Sequence, residues 1–458
     1  MRKSSRTISG VTPVAVMARP MPCPGSCVFC PSFDGSPKSY TPESPAVLRA
    51  LSCEYDPTRQ VQFRLNIFSK MGHPVDKVEL IIMGGTFLAS PPEYQYSFIR
   101  SCYDALNGRP SQNLEEAQRL NETARYRCVG LCIETRPDWC SENDVKRMLE
   151  YGTTRVELGV QTLDDDIYRL VRRGHCVKDV IDATALLKRY GLKVYYHWMP
   201  GLPGSTPAHD LAQAKLLFND ARYKPDGIKI YPTLVVTGTE LEQWYRQGKY
   251  TPFSTGEMTD LIADIKDTVP AYVRIPRVMR DIPTRFIVAG CRDLSLRSGV
   301  KEVMKRRGSL CQCTRCREYG HRRREGWKMG TPTLHRYDYE ASGGREVFLS
   351  FEDDAGTLFG LLRLRIGPRD IYPALIREVH IFGSEVPIGE QDDLAAQHKG
   401  LGSALIKEAE RIAHDEFAAD SIAVISGVGA RDYFRRGFGY EIEGHYMCKK
   451  LRSGIQVT

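Results

Sequence analysis

Short apolar runs and longer helical patterns alternate along the first two thirds of the chain. From residue 11 to about 290, runs rich in Val, Ile and Leu are followed by turns, and then by segments whose apolar residues recur every three or four positions. The runs predict seven strands, at 13–18, 78–84, 129–134, 155–161, 193–199, 227–231 and 272–275. Helices are predicted between them, for example at 142–151, 166–190, 207–221 and 257–268.

Strands that alternate with helices predict a parallel sheet with crossover connections. Seven such units over residues 1–290 indicate an α/β fold that forms a partial or full barrel. Active residues of such barrels lie at the carboxyl ends of the strands. The unusual residues of this chain follow its predicted strands, which directs the search for a site to that end.

Three cysteines follow the first predicted strand with the spacing C-x3-C-x2-C: Cys23, Cys27 and Cys30. Three thiolates can hold a 4Fe–4S cluster that leaves one iron open. An open iron can bind S-adenosylmethionine, whose reductive cleavage yields a carbon radical. A zinc knuckle that lacks one ligand and a set of unrelated buried thiols are the alternatives.

Further polar and glycine motifs follow the next strands. Gly84, Gly85 and Thr86 come after the second strand, Glu134 and Gln161 end the third and fourth, and Lys229 lies on the sixth. Paired glycines allow the backbone to approach the methionine part of S-adenosylmethionine closely. Each motif alone is equally typical of a turn, a cap or a surface residue. Together, at one end of a barrel, they predict a pocket for S-adenosylmethionine.

The last third of the chain, 331–458, has a different pattern. Apolar strands at 345–352 and 358–366 flank the turn Asp353-Asp354-Ala355-Gly356, which predicts an antiparallel hairpin. After a strand at 378–382, a polar loop with Gln397, Lys399, Gly400, Leu401 and Gly402 opens a helix. Glycine amides at a helix start can hold a pyrophosphate. We therefore expect an α+β domain with a phosphate site, although a glycine-rich helix start is the plainer interpretation.

A basic segment at 291–330 separates the two parts. It holds Cys311, Cys313 and Cys316, a tight thiolate trio typical of zinc, with Cys291 or His321 as fourth ligand and Cys291 preferred. Three reduced thiols in a loop are the alternative. Residues 297–324 include ten Lys or Arg and two acidic residues, enough to account for the whole net charge of +8.

A basic stripe of this kind binds polyanions through counterion release. We expect the run Arg322, Arg323 and Arg324 to contact RNA, with a solvated helix face as the alternative. No apolar run approaches the roughly 20 residues that a membrane span needs. Fourteen cysteines, several at metal-binding spacing, predict a reducing, cytoplasmic location.

Four motifs in this order resemble the catalytic subunit family of Elongator: CPGSCVFCP at 23–31, MGGTF at 83–87, MPGLPG at 199–204 and GVGARDYF at 427–434. The resemblance implies a radical S-adenosylmethionine domain fused to a GNAT-type acetyltransferase domain. It implies that acetyl-CoA contacts Lys77 from the barrel side and a second set of residues from the GNAT side. That set is Glu378, Val379, His380, Ile381, Leu401, Gly402, Ser403, Tyr433 and Phe434.

The same resemblance implies a tRNA product, a carboxymethyl group at C5 of the wobble uridine in the anticodon loop. Our hypothesis is that a deoxyadenosyl radical takes a hydrogen atom from the acetyl methyl group of acetyl-CoA. The new carbon radical adds to C5, and thioester hydrolysis, with Tyr433 as a candidate catalyst, leaves the carboxymethyl group. The competing hypothesis is a GNAT-type protein lysine acetyltransferase whose Fe–S barrel is architectural.

Overall fold

The computed structural model describes residues 10–382 and 400–451. A curved sheet of seven parallel strands forms the first layer, in the spatial order β1-β2-β3-β4-β5-β6-β8. Its strands are β1 (Val11–Met17), β2 (Lys77–Met83), β3 (Arg127–Thr135), β4 (Arg155–Gln161), β5 (Lys193–Trp198), β6 (Gly227–Ile230) and β8 (Arg274–Val278). Two short strands, β7 (Val235–Val236) and β9 (Ile287–Ala289), pair separately.

The parallel sheet confirms the α/β class and decides between the two predicted forms. Neighbouring strands of this sheet follow one another along the chain, except that β6 pairs with β8, and they run in parallel from Val11 opposite Lys77 to Lys229 opposite Arg277. Within the described residues no pairing joins β1 to β8, so the sheet is a partial barrel. Its interior therefore has an open side.

Helices cover the outer face of the sheet and lead into the next layer. They are α1 (Pro45–Ser52), α2 (Pro57–Lys70), α3 (Pro92–Asn107), α4 (Leu114–Asn121), α5 (Glu142–Glu150), α6 (Asp165–Leu170), α7 (Val177–Arg189), α8 (Pro207–Asn219), α9 (Glu240–Arg246), α10 (Thr255–Asp267), α11 (Leu296–Arg306), α12 (Thr314–Arg317) and α13 (Tyr319–Arg324). In the described ranges, none of the helices is both long and apolar enough for a membrane crossing.

The single helix predicted at 166–190 is wrong, because two helices, α6 and α7, occupy that region. Arg172 and Gly174 between them have positive φ angles of 52° and 83°, which no helix accommodates. The break turns Arg173 inward, where its side chain is buried. The break between α6 and α7 thus brings the guanidinium group of Arg173 toward the edge of the parallel sheet.

The second layer is a mostly antiparallel sheet in the order β10-β11-β12-β13-β14-β16-β15. Its strands are β10 (Thr333–Ala341), β11 (Gly344–Glu352), β12 (Leu358–Ile366), β13 (Ala374–Ile381), β14 (Ser421–Val424), β15 (Glu441–Glu443) and β16 (Tyr446–Lys450), with α14 (Leu401–Arg411) and α15 (Arg431–Phe438). The predicted hairpin between β11 and β12 is confirmed. The prediction lacked β10, β15 and β16, whose exposed or short sequences carry little hydrophobic signal.

A buried ion cluster joins the two layers at the amino-terminal edge of the parallel sheet. Arg377 on β13 donates two hydrogen bonds to Asp226, at 2.6 and 2.8 Å, and two to Glu346, at 2.8 and 3.1 Å. It also donates to the carbonyl oxygen of Leu192, at 3.0 Å. All three charged side chains are at most 1% exposed, so the contact holds β11 and β13 against the loops that precede β5 and β6.

Electrostatics within this cluster favour its charged state. Burial alone would raise the pKa of Asp226, but the Arg377 guanidinium and the Lys188 ammonium hold it well below its usual range. The pKa of Glu346 is shifted in the same direction for the same reasons. Both carboxylates therefore stay ionised at neutral pH, and each depends on the cations beside it.

Replacement of Arg377 by Met tests this joint. The substitution leaves two buried carboxylates short of a partner, so we expect the free energy of unfolding to fall by about 3–5 kcal/mol. Urea unfolding followed by circular dichroism measures the change. Arg345→Met, at an exposed arginine on β11, is the matched control and should have a much smaller effect. A decrease in Arg377→Met no larger than in the control would contradict the role of the cluster.

Candidate active site

The first cysteine trio lies in the loop after β1, at the carboxyl edge of the parallel sheet. Cys27 is buried, whereas Cys23 and Cys30 are half-buried, and all three line a cavity of about 290 Å³. Val28 and Phe29 anchor the loop in an apolar cluster. Burial raises the pKa of Cys30 to about 12, so metal binding at this thiol must displace a proton.

The spacing of the sulfur atoms separates this trio from a single-ion site. Groups of three ligand atoms that lie within 4.8 Å of one another include Cys311, Cys313 and Cys316, but in the described chain they do not include the trio in the β1 loop. Ligands that share one zinc ion must lie close together, whereas ligands of a cubane each bind a different iron. The geometry therefore fits a 4Fe–4S cluster better than the zinc knuckle.

The cavity also collects the other residues that the sequence singled out at this edge. Gly85, Thr86, Glu134, Gln161 and Lys229 line it beside the cysteines. Gly84 adjoins them with a φ of 130°, in a backbone conformation that L side chains rarely adopt. The expected convergence at the carboxyl edge is thus present in the structure. Their contact with S-adenosylmethionine stays a prediction.

A cluster of charged and polar side chains lines the part of this cavity that lies inside the half-barrel. The ammonium group of Lys229 contacts Glu157 and lies 3.4 Å from Glu134, and Nε2 of His197 lies 2.9 Å from Glu157. Tyr40 donates to the second oxygen of Glu134, at 3.3 Å. Burial opposes ionisation of Glu157, but Lys229 and His197 hold its pKa well below its usual range.

The sequence prediction missed Glu157, His197 and Tyr40. The first two alternate with apolar residues on β4 and β5, on the face that turns toward the interior, and this periodicity is the signal that would have found them. Tyr40 comes from an irregular loop far from Glu134 in sequence, so no local pattern predicts that contact.

The linker cysteines form a compact group of a different kind. The sulfur atoms of Cys311, Cys313 and Cys316 gather within 4.8 Å, which suits one tetrahedral zinc ion. Neither Cys291 nor His321 belongs to this group in the described part of the chain. The identity of the fourth ligand stays a prediction.

A second candidate region lies on the carboxyl-terminal sheet, where two strands separate. β13 pairs with β14 only at Leu375 and Ile376, although β13 continues to Ile381. On that side residues 378–381 therefore have no described ladder partner. The region contains Glu378, Val379, His380 and Ile381, together with the first turn of α14 (Gly400, Leu401, Gly402 and Ser403). Gln397 and Lys399 lie outside the described residues.

The aromatic pair on α15 divides into one accessible and one buried ring. Tyr433 is 48% exposed, and its hydroxyl group lies over the start of α14, 3.1 Å from the position that a Cβ on Gly402 would occupy. Burial of part of the ring raises the pKa of Tyr433, despite a hydrogen bond with Ser403. Phe434 packs in the core of the sheet, and its contact with acetyl-CoA stays a prediction.

The two candidate regions lie at opposite edges of the half-barrel. Glu378 accepts hydrogen bonds from Lys193, at 3.1 Å, and from Arg363, at 2.8 Å. Lys193 begins β5, whereas the cavity surrounds the other end of that strand, six residues and roughly 20 Å away. Lys77 begins β2 at the same lower edge as Lys193. Arg155 begins β4 opposite Lys193, and its side chain contacts Glu79 and Glu157 and lies 5.1 Å from the ring of Tyr195.

The basic segment is less uniform than its sequence indicates. Arg322 is 6% exposed, donates to Ala355 and Thr357 and stacks over Trp327. This burial disfavours the predicted contact of Arg322 with RNA, which stays a prediction. Arg323 and Arg324 are exposed on α13. Lys301 on α11 pairs with Glu325, which follows α13, so this ion pair joins the two helices. Lys305 and Arg306 are also exposed and lie one turn after Lys301 on α11.

Comparison with known proteins places this architecture. The model of the Radical SAM superfamily matches residues 22–214, and that of the Radical_SAM C-terminal domain matches residues 225–306. The chain is 62% identical to the tRNA uridine(34) acetyltransferase of Dehalococcoides mccartyi, over 98% of this chain and 100% of that protein. It is 41% identical to human Elongator complex protein 3, over 98% of this chain and 86% of that protein.

A solved structure agrees with these similarities. The chain superposes on the archaeal Methanocaldococcus infernus Elp3 with an N-terminal deletion at a TM-score of 0.86, with 44% identity, over 97% of this chain and 100% of that one. Identity at this level over the whole length shows common descent. The chain therefore belongs to the family of radical SAM proteins that contains the tRNA uridine(34) acetyltransferases and Elongator complex protein 3.

Proposed function

We propose that this protein modifies tRNA, and that it uses S-adenosylmethionine and acetyl-CoA to install a carboxymethyl group at C5 of the wobble uridine. One observation carries the proposal: a three-cysteine cavity and an opening between two strands, of the kind that can hold an acyl-CoA, stand at the two ends of one half-barrel interior. The proposal assigns radical chemistry to residues 1–290, zinc binding to 291–330 and a GNAT-type role to 331–458.

Cys23, Cys27 and Cys30 would hold the 4Fe–4S cluster. These three thiols fit a 4Fe–4S cluster, since their sulfur atoms are too far apart to share one metal ion. They face a cavity in which buried N–H groups of arginine side chains lack a hydrogen-bond acceptor. When bound, the cluster supplies the electron that cleaves S-adenosylmethionine reductively. The protein contributes a cavity that keeps this chemistry away from solvent.

The cavity beside the cysteines would hold S-adenosylmethionine. Gly84 and Gly85 let the backbone come close to its methionine part, while Glu134 and Gln161 offer oxygen and nitrogen atoms for its amino and hydroxyl groups. The side-chain oxygen of Gln161 is buried without a hydrogen-bond partner, as expected of an acceptor that waits for a ligand. Below that position, Lys229 holds the pKa of Glu157 well below its usual range and lies 3.4 Å from Glu134.

The separation of β13 from β14 supports acetyl-CoA binding. The unpaired strand edge at 378–381 can bond the amide groups of the pantetheine arm as a neighbouring strand would. The adjacent first turn of α14 offers backbone N–H groups to the pyrophosphate. Because its raised pKa keeps the Tyr433 hydroxyl protonated at neutral pH, this group can donate a proton to the thiolate that leaves during hydrolysis.

The interior of the half-barrel gives the two reactants a shared space. A thioester held near Glu378 starts at the lower edge, and the cavity with the cysteines opens at the upper edge. The acyl end must therefore extend along the interior, past Tyr195 and Arg155, before its methyl group meets the deoxyadenosyl radical. The carbon radical formed there adds to C5 of a uracil base that has left the anticodon stack. The C5 proton and one electron, which the oxidised cluster would accept, then leave to restore the C5=C6 double bond, and thioester hydrolysis yields the carboxymethyl group and free CoA.

The exposed cations of the linker supply a surface for tRNA. We define this basic surface as Lys305, Arg306, Arg323 and Arg324, because each is exposed and α11 and α13 are joined by an ion pair. Such groups bind phosphates without reading the bases, so they position the RNA. Selection of uridine is then left to the interior of the half-barrel.

Cys27→Ala tests the radical chemistry. Anaerobic incubation with reductant, S-adenosylmethionine, acetyl-CoA and tRNA should yield 5′-deoxyadenosine with the unchanged protein and none with the variant, because the cluster loses a ligand. Cys176→Ala, at an exposed cysteine outside the cavity, should behave as the unchanged protein. Acetyl-lysine formed without 5′-deoxyadenosine would instead support the protein lysine acetyltransferase.

Tyr433→Phe tests the role of the hydroxyl group in thioester hydrolysis. We expect the turnover rate of tRNA-dependent CoA release, measured with a thiol reagent, to fall by about 10²-fold, as loss of general acid catalysis does. KM for acetyl-CoA should change little, since the ring remains. Tyr337→Phe, an exposed tyrosine on β10, serves as control. A CoA release rate equal to that of the control would remove Tyr433 from the mechanism.

The double change Arg323→Ala and Arg324→Ala tests the basic surface. Filter binding of tRNA at several salt concentrations should show weaker affinity, and the slope of log K against log salt should lessen by about one for each phosphate that is no longer neutralised. Arg169→Ala with Lys178→Ala, two exposed cations on α6 and α7, is the matched control. Equal slopes in both double variants would place tRNA binding elsewhere.

A further inference from the structure

Two buried arginines flank the first cysteine trio. Arg173, in the break between α6 and α7, donates from Nη1 to the sulfur of Cys27 at 3.4 Å and from Nη2 to the carbonyl oxygen of Gly159. Arg136 follows β3 and forms a bidentate pair with Asp138, at 2.7 and 2.9 Å. Their side chains come from separate elements and meet at the same loop.

The backbone around them is shaped to admit both guanidinium groups. A Cβ added to Gly25, within the cysteine motif, would lie 2.0 Å from Nη1 of Arg136. A Cβ added to Gly159 would lie 2.6 Å from Nη2 of Arg173. Both distances are shorter than any real contact, so the absence of a side chain at these two positions is what lets the arginines approach the cysteines.

Each guanidinium retains a buried N–H group without a partner. Nε of Arg173 and Nη1 of Arg136 are inaccessible to water and make no hydrogen bond in the structure. Buried donors of this kind normally have an acceptor. Nη1 of Arg136 lies against Gly25 in the cysteine loop. The sulfur atoms of a cluster bound by these cysteines would be the acceptors for this N–H group.

The charges of the two arginines are balanced differently. The guanidinium of Arg136 is neutralised by Asp138. Among the described residues, no carboxylate lies within 4.0 Å of Arg173, which is 7% exposed. A buried cation without a counterion is costly. The negative charge that can compensate it is that of the thiolates and the cluster they hold.

We infer that Arg173, supported by Arg136, sets the reduction potential of the cluster by donating to its sulfur atoms. A reduced cluster carries one more negative charge than an oxidised one, and nearby positive charge and hydrogen bonds to sulfur stabilise it. Arg173 therefore favours reduction of the cluster by an external electron donor and makes the reduced cluster a milder reductant toward S-adenosylmethionine. This inference rests on the cluster assignment and needs neither acetyl-CoA nor tRNA.

A redox titration of the full-length protein tests it without turnover. The cluster is reconstituted anaerobically, iron and sulfide are quantified, and the EPR signal of the reduced form is followed against applied potential. Arg173→Met is compared with Arg172→Met, which removes the neighbouring exposed arginine that pairs with Glu240. Arg173→Lys, which keeps the charge but not the fork of N–H groups, is titrated as a second variant.

In Arg173→Met we expect the ratio of reduced to oxidised cluster at a fixed potential to fall at least tenfold, a shift of about 59 mV for a one-electron couple. Arg172→Met should match the unchanged protein. An unshifted midpoint in a fully loaded Arg173→Met overturns the inference. If that variant does not retain the cluster, Arg173→Lys decides: a lower midpoint supports the inference, and an unshifted one overturns it. Unchanged protein that binds no cluster contradicts the proposed function instead.

Discussion

The buried pairing of Arg377 with Asp226 and Glu346 fixes the geometry on which the rest of the molecule depends. It holds the carboxyl-terminal sheet against the lower edge of the half-barrel, where Glu378, beside the opening between β13 and β14, pairs with Lys193 at the start of β5. A buried ion pair adds little stability over an apolar contact of the same shape. What it provides here is a single orientation, because Asp226 meets Arg377 only when the two layers pack in this register, whereas Glu346 and Arg365 hold Arg377 in place from its own sheet.

The parallel sheet imposes a second constraint, which made much of the upper site predictable. Carboxyl ends of parallel strands meet at one edge, so Gly85, Glu134, Gln161 and Lys229 converge although nearly 150 residues separate them in sequence. Periodicity indicated the strands, and the strand ends indicated the site. The same reasoning extends to Glu157 and His197, since alternate residues of a barrel strand face the interior.

What the sequence could not provide depends on contacts between distant segments. A charge run looks alike whether its members are exposed or buried, so Arg322 could not be told from Arg324 until Ala355 and Thr357 were placed beside it. The helical pattern at 166–190 hid a break that only the tertiary position of Arg173 explains. The opening between β13 and β14 likewise arises because the hydrogen-bonded pairing of these strands ends after Ile376. The residues of the two strands do not indicate where that pairing ends.

The central claim is that the first cysteine trio holds a cluster with an iron open to S-adenosylmethionine. EPR spectra of the reduced, reconstituted protein, recorded with and without S-adenosylmethionine labelled at its amino nitrogen, test it most directly. The account predicts a change in the cluster signal on addition and a hyperfine coupling from the labelled nitrogen. A cluster signal that is absent, or one that the nucleoside leaves unchanged, would contradict it.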